Sequence, residues 1–393
     1  MKILLINDFI EKVGGAEQVV YSTMNILQAH GHDTLLYAPT INSRSIPASV
    51  FSFRHYRAIR RLIQEFKPDI VHAHGIYRNV SPSVLLAARS FRVPIVMTLH
   101  DFHLVCPKTS LVDGRHLNCE TGFGYHCLLL NCYPRIRFSR IYQCLKMIKL
   151  SLHRAIIRST VHQFLPPSFS LMNWTKKNFD SENVTLLPYL LMTEHEPSPQ
   201  PPRTRTLLYI GHLTEQKGVD VLLRAIAKTS QIIPDISLKI VGAGDCERML
   251  KELAASLKIT GNITFVGNLA NEQVIHEYDD AYCVIIPSKY VENLSVVGLE
   301  AIAKGKVVIA SRIGGLPDIV DHNETGFLVR PGDPDDLAEK IIYVMQHPAI
   351  LPDMGRRAHA KFLRTFSKQA YYRTVISVYD RIIHEARNSN AQL

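Results

Sequence analysis

Residues 2–37, KILLINDFIEKVGGAEQVVYSTMNILQAHGHDTLLY, contain one complete strand–helix–strand unit. Lys2–Asn7 is a continuous apolar run of strand length, and Asp33–Tyr37 is a second. Between them, Ala16–His30 carries Val19, Val20, Met24 and Leu27 close to helical spacing. Strands that alternate with helices pair in parallel and are covered on both faces. The same alternation continues outward through Ile70–His74 and Pro94–His100. It resumes in the second half at Thr206–Ile210, Ser237–Val241, Ile263–Val266, Tyr282–Ile286 and Val307–Ala310. The pattern predicts an α/β chain with two doubly wound parallel sheets.

Between the halves, Pro197, Pro199, Pro201 and Pro202 fall within six residues. Such a stretch is neither helix nor central strand, so it reads as a stiff linker. The expected organisation is a Rossmann-like domain over 1–187, a linker over 188–205, a second Rossmann-like domain over 206–366 and a C-terminal helix over 367–393. In that helix Ser367 is the expected cap, and Tyr371, Val375, Val378 and Ile382 share a face that packs back on the N-terminal domain.

At 393 residues the chain is too long for one ordinary core, and 46% hydrophobic with 20% charged residues excludes a disordered or fibrous protein. No run of 18 apolar residues occurs, and the start reads as a strand rather than a signal peptide. The seven cysteines are accordingly expected to be reduced thiols, and the protein cytoplasmic. The net charge of +10 is unevenly placed. Residues 1–190 carry 22 Lys and Arg against 11 Asp and Glu; the remainder carries 23 against 24. Residues 121–179 have nine bases and no acid. That asymmetry implies an anionic partner, either nucleic acid or a membrane surface. No helix-turn-helix, finger or aromatic RNA platform accompanies it, so a nucleic-acid-binding protein is the least favoured class.

Chemistry-bearing residues cluster where strands end. Gly14-Gly15 joins the first strand to the first helix, where backbone N–H groups meet an anion or simply make a tight turn. His100-Asp101 ends the Pro94–Leu99 strand, the end at which open sheets bind ligands. Gly211 through Lys217-Gly218 puts a lysine at a helix start, a placement that an anionic ligand such as a diphosphate would justify. Glu292 follows a buried strand, and Glu300 lies in the next helix with seven residues between the two carboxylates. A carboxylate accepts two hydroxyls at once, which suits a ribose diol or a sugar, while Asn293–Val297 offers N–H groups to phosphate.

Together with Gly314-Gly315-Leu316-Pro317-Asp318, these motifs resemble the retaining, nucleotide-sugar-dependent glycosyltransferases of GT-B architecture, family 4 type, over Lys2 to about Tyr379. The resemblance implies two Rossmann-like domains facing across a cleft, a C-terminal helix crossing back, and a hexose moved from a nucleoside diphosphate sugar to a glycan or lipid-linked acceptor in polysaccharide biosynthesis. It implies that Lys217 holds the diphosphate and Glu300 the ribose. Glu292 with Asn293, Leu294, Ser295 and Val296 would take the donor sugar and phosphate. Leu269 would lie near the base, His100 would approach the transferred sugar, and Gly14 and Gly15 the phosphate or acceptor. The family has arginine where this chain has His212, a weaker partner for diphosphate. A sugar-nucleotide epimerase of the same shape is the alternative.

No catalytic metal is expected. Lys217 and helix N-termini would neutralise the departing diphosphate, and Asp333-Pro334-Asp335, though it has D-x-D spacing, reads as helix-start chemistry at Asp335 or Asp336. Cys106, Cys119, Cys127 and Cys132 fall within 27 residues. They are read either as a structural zinc site or as buried or adventitious thiols; Cys144, Cys246 and Cys283 are read as core. Arg135–Arg158 reads as a basic helix with Phe138, Ile141, Tyr142, Leu145, Ile148 and Leu152 along a stripe. Its bases are Arg137, Arg140, Lys146, Lys149 and Arg154. Either it packs normally or it lies on an anionic bilayer, at the cytoplasmic face of an inner membrane.

Overall fold

A computed structural model describes the chain except residues 11–14, 41–49, 78, 114–117, 131, 134–138, 180–182, 192–196, 198–203 and 392–393, and describes only the backbone at 15, 16, 271 and 389–391. It divides into two compact units. Unit 1 is Met1–Met192 with Lys368–Leu393, and unit 2 is Thr193–Ser367.

Unit 1 is built on a five-stranded parallel sheet: β1 (Lys2–Ile6), β2 (Asp33–Tyr37), β3 (Ile70–Ala73), β4 (Ile95–Thr98) and β5 (Gln163–Leu165), in the order β2-β1-β3-β4-β5. Its helices are α1 (Gly15–Ala29), α2 (Phe53–Phe66), α3 (Ser83–Ser90), α4 (Ser139–Thr160), α5 (Phe169–Asn178) and α13 (Lys368–Ala391). Every residue of the central strands β3 and β4 is buried, so both are mainly apolar rather than alternating, and their polar residues, His72 and Thr98, bond each other at 2.7 Å. Strand order reverses between β1 and β3, so ligand-facing loops leave the sheet there. Residues Asn7 and Asp8 tie the two loops together. The Asp8 carboxylate accepts the backbone N–H groups of Tyr77, Asn79 and Val80 at 2.8, 3.0 and 2.7 Å, and Asn7 accepts that of Gly75 at 3.1 Å.

The last helix belongs to unit 1. Tyr371 on α13 hydrogen-bonds Thr23 of α1 at 2.7 Å, and the Tyr372 ring stacks on His30 with centroids 3.6 Å apart. Val375, Tyr379 and Ile382 are buried along the same face.

Unit 2 has a six-stranded parallel sheet in the order β11-β10-β9-β6-β7-β8. Its strands are β6 (Thr206–Ile210), β7 (Ser237–Val241), β8 (Ile263–Gly267), β9 (Cys283–Ile286), β10 (Val308–Ser311) and β11 (Gly326–Val329). Around it lie α6 (Val219–Thr229), α7 (Glu247–Ser256), α8 (Asn271–Asp280), α9 (Val296–Ala303), α10 (Leu316–Ile319), α11 (Pro334–Gln346) and α12 (Leu351–Thr365). Its strand order reverses between β6 and β9. Two strands escape the sequence reading, β5 and β11. Both are sheet edges, and each opens on a residue that cuts its apolar run to two or three, Gln163 in β5 and Gly326 in β11. In β5 the buried Gln163 is held by polar partners, Arg381 at 2.6 Å and Thr185 at 3.1 Å.

Candidate active site

In unit 2 the loops after β6 and β9 leave adjacent strands on either side of the order reversal, and each contributes one charged group. Lys217 closes a short 3-10 turn, Glu215–Lys217, and Glu292 sits on the loop after β9. Their side chains meet: Lys217 Nζ lies 2.8 Å from Glu292 Oε1, with the lysine 36% and the glutamate 13% exposed. Ser288, buried, donates to the same carboxylate oxygen. Two backbone approaches hold these loops where they are. Gly218 has φ of 67°, and a Cβ there would lie 2.0 Å from the carbonyl oxygen of Pro287. Gly314, with φ of 60°, stands equally close to the carbonyl of Glu292, whose oxygen accepts from Gly315 N–H at 2.9 Å. Only glycine fits either position. Lys289 adds an ion pair to Asp220 at 3.2 Å, and its backbone N–H bonds Gln216 at 2.9 Å.

The helix that follows is α9, capped by Ser295, whose side chain accepts from Gly298 N–H at 3.2 Å. Val296 is its first residue, Leu294 is buried before it, and Asn293 is half-buried. Glu300 lies within α9 and takes a 2.8 Å hydrogen bond from the fully buried Tyr278 hydroxyl on α8. Burial pushes the Glu300 carboxyl above its ordinary range, and the Tyr278 bond opposes that. The roles of Tyr278 and Ser288, which fix the two glutamates, are invisible to motif reading. Ser288 lies within the stretch 287–292 that ends on Glu292, but its hydroxyl's role shows only in the bend of the loop, and Tyr278 is brought to Glu300 by the packing of α8.

Other sequence-named residues fall as follows. His212 is exposed and uses its backbone carbonyl to accept from Tyr209 at 3.0 Å. Leu269 is half-buried in the loop after β8. Gly15 is the first residue of α1, whereas Gly14 lies outside the described residues. The D-x-D spacing has a structural account, with one change of residue: Asp333, not Asp335 or Asp336, is the cap of α11. Its side chain accepts the N–H groups of Asp335 and Asp336 at 2.9 and 3.0 Å. A hollow of about 350 Å³ beside α6 and α7 includes Lys289 but none of Lys217, Glu292 and Glu300, so it is not this site.

Unit 1 holds a chain of histidines. His72, on β3, is fully buried between Tyr379 at 2.6 Å and Thr98 at 2.7 Å. His74 Nδ1 meets His100 Nε2 at 3.0 Å, and His100 Nδ1 meets the Tyr189 hydroxyl at 3.3 Å. Tyr189 in turn donates to the His100 carbonyl at 3.3 Å. Burial lowers the pKa of His72 to about 3 and of His100 to about 4, and lowers that of His74 as well. All three are therefore neutral at pH 7, and a single proton serves each ring-to-ring contact. Proton placement is consistent throughout if His100 carries it on Nδ1 and His74 on Nδ1. His74 Nε2, buried without a partner, is then a bare acceptor rather than a stranded donor. The sequence signal for His74 was only its position one residue past a strand.

The basic segment differs from expectation in which face packs. Helix α4 buries Gln143, Leu150, His153 and Ile157, whereas Ile141, Leu145, Ile148 and Leu152 are 61, 50, 58 and 47% exposed. Arg135, Arg137 and Phe138 lie outside the described residues. Lys149 and Arg154 turn inward. Lys149 donates to the Tyr77 carbonyl at 3.0 Å, and burial lowers its pKa to about 8; Arg154 lies over the Phe123 and Phe179 rings, each at 5.1 Å. Cys144, expected in the core, is exposed because it shares the outer face with Leu145 and Ile148. Cys283 is buried and Cys246 half-buried. No helix is long and apolar enough to cross a membrane among the described residues.

Comparison with known proteins bears on the family and the fold. The model for glycosyl transferases group 1 matches residues 192–361, and that for Glycosyltransferase Family 4 matches 13–127. The glycogen synthase of Mycobacterium tuberculosis is 25% identical over 318 residues, 80% of this chain and 69% of its own. An uncharacterized glycosyltransferase of Methanocaldococcus jannaschii is 36% identical over 134 residues, 34% of each chain, so the match spans about a third of that relative's length. Among solved structures, Anabaena HepE in complex with UDP superposes with a TM-score of 0.70 at 17% identity, covering 97% of this chain and 100% of its own. These matches do not favour the epimerase alternative. With strand-order reversals carrying a His cluster in one unit and a Lys–Glu pair in the other, the chain belongs to the family 4 type glycosyltransferases of GT-B fold.

Proposed function

We propose that the chain transfers a hexose from a nucleoside diphosphate sugar to a glycan or lipid-linked acceptor in polysaccharide assembly, with retention at the anomeric carbon and without a catalytic metal. The reading rests above all on the Lys217–Glu292 pair at the β6/β9 reversal, 2.8 Å apart, with Glu300 on the helix that follows. Breaking the anomeric C–O bond builds positive charge on the sugar and negative charge on the leaving diphosphate. Lys217 and the N-terminus of α9 supply fixed positive potential for the diphosphate. Glu292 is an anion and acceptor suited to sugar hydroxyls, and Glu300, oriented by Tyr278, to a ribose diol. His100 is neutral at pH 7, so it adds no positive charge beside a cationic sugar.

HepE was solved with UDP and with UDP-glucose, which makes a UDP-hexose the first donor to test. A membrane-bound acceptor fits the exposed apolar stripe of α4 and the acid-free stretch 121–179 around it. The test is nucleoside diphosphate release from a panel of sugar nucleotides, with and without lipid-linked and glycan acceptors, and with chelator added. Release that needs an acceptor, survives chelation and is abolished by Lys217→Met and Glu292→Gln supports the reading. Absence of donor binding and turnover across the panel overturns it, and an inverted product anomer overturns retention.

A further inference from the structure

Between β4 and α4 the chain runs from residue 99 to 138. Its described residues form one 3-10 turn, Tyr125–Leu128, and one isolated bridge, Val112 to Asn118. A loop of that length inside a compact unit needs something to hold it. Apolar burial does this only for the first part. Leu99, Phe102, Leu104, Val105, Leu111 and Val112 are buried. Beyond Val112, Cys127 is the one buried hydrophobic of the loop among the described residues, while Tyr125 and Leu129 are 83 and 78% exposed.

The four cysteines of this loop converge. Cys106, Cys119, Cys127 and Cys132 all line a single cavity of about 10 Å³, with Gln143 of α4 as part of its wall. That is room for one water-sized sphere, too little for an iron–sulfur cluster. A tight turn follows Cys106, closed by the Thr109 N–H on the Cys106 carbonyl at 2.9 Å. Thr109 and Leu111 adopt φ of 67° and 50°, a conformation unfavourable for both side chains that directs this turn around the sulfur. The thiols are gathered but not closed. Cys127 donates to the Gly122 carbonyl at 3.4 Å, and Cys119 contacts the Thr121 hydroxyl at 3.4 Å. Among the described residues no three His, Cys, Asp or Glu side chains stand close enough together to hold a metal ion as they lie, and all four cysteines are free of disulfides.

We propose that Cys106, Cys119, Cys127 and Cys132 bind one zinc ion as a tetrahedral four-sulfur site that closes by side-chain rotation and staples the loop to unit 1. Each thiol that ligates gives up its proton to solvent, so four are released per ion. The resulting site carries two negative charges, and Lys108 stands within electrostatic reach of Cys132 to offset them. Tetrahedral four-sulfur sets of this size select zinc over harder cations. This assignment is independent of the proposed transfer reaction.

The experiment uses the full chain purified under reductant in metal-free buffer. Elemental analysis is expected to give one zinc per chain, and cobalt added to the stripped protein should produce the visible absorption of tetrahedral cobalt–thiolate, displaced by one equivalent of zinc. Cys119→Ser, at a half-exposed position, should lose that spectrum while the protein stays folded by circular dichroism; Cys144→Ser should keep it. Protein free of zinc whose stripped form gives no cobalt–thiolate spectrum would overturn the site. So would metal retained in Cys119→Ser and lost in Cys144→Ser, or four loop thiols that titrate as two disulfides in freshly isolated protein.

Discussion

Glu300 is held at one oxygen by Tyr278, so its position is fixed before any ligand arrives. Glu300→Ala removes a charge-assisted acceptor worth about 1.5–3 kcal/mol, roughly ten- to hundred-fold in donor KM, with the fold intact by circular dichroism. Unchanged donor affinity in that folded variant would take Glu300 out of the site. Because burial raises the Glu300 pKa, its carboxyl becomes protonated at a higher pH than an ordinary glutamate. Donor affinity should therefore fall on acidification before the ordinary carboxylate range is reached, and this limb should be missing in Glu300→Gln. The histidines are shifted the other way, yet they too respond to acidification with a loss. His72 and His100 have pKa values depressed to about 3 and about 4. Their contribution to stability is complete above the ordinary value of 6.5 and is lost as pH falls through the folded values. Denaturant midpoints should drop steeply between pH 6 and 4. Replacing His72 with Asn, which cannot charge, should lower the neutral-pH midpoint and flatten that drop; an unaltered pH slope would count against the cluster as its source.

At the next scale, the geometry of the candidate site depends on how closely two loops approach other backbone. Gly314→Ala would put a methyl 2.0 Å from the Glu292 carbonyl at a positive φ, so the loop after β9 must move. A cost of about 1–3 kcal/mol in stability is expected, with a larger proportional loss of transfer than of fold. Comparing kcat/KM with the urea midpoint separates the two, and equal losses would mean the loop does not position Glu292. Helix α13 makes a different kind of dependence. Tyr379→Phe strips the partner from buried His72 Nδ1 and should destabilise unit 1 by about 1–3 kcal/mol. Unchanged thermal stability would show that His72 re-pairs.

Over the molecule as a whole, the positive excess lies entirely before residue 190, and α4 displays Ile141, Leu145, Ile148 and Leu152 to the outside. Bases near an anionic surface contribute about 1 kcal/mol each, and the apolar side chains add to it. Sedimentation with anionic vesicles is expected at low salt and release at high salt, as screening shortens to about 3 Å at molar ionic strength. Changing Arg140 and Lys146 to Gln should weaken capture, as should Ile141 and Ile148 to Ser. Lys149, whose ammonium faces the Tyr77 carbonyl, should matter little. Equal capture by neutral and anionic vesicles, or by neither, would mean the stripe serves another purpose.

The parallel architecture was legible because central strands buried on both faces are mainly apolar, as in Cys283–Ile286, and because helical spacing separates them. The ends of those strands marked His100, Lys217 and Glu292, since open sheets place loops and ligands there. Edge strands β5 and β11 were not legible: Gln163 opens one and Gly326 the other, which leaves only two or three apolar residues in a row. Tertiary structure alone decided which side chains orient the named ones. Tyr278 reaches Glu300 from another helix, Tyr189 reaches His100 across 89 residues, and Ser288 reaches Glu292 only through the bend of its loop. It also decided which face of α4 packs. Both faces carry apolar residues at helical spacing, so only the neighbours that cover Leu150 and Ile157, and leave Ile141 and Ile148 exposed, distinguish them.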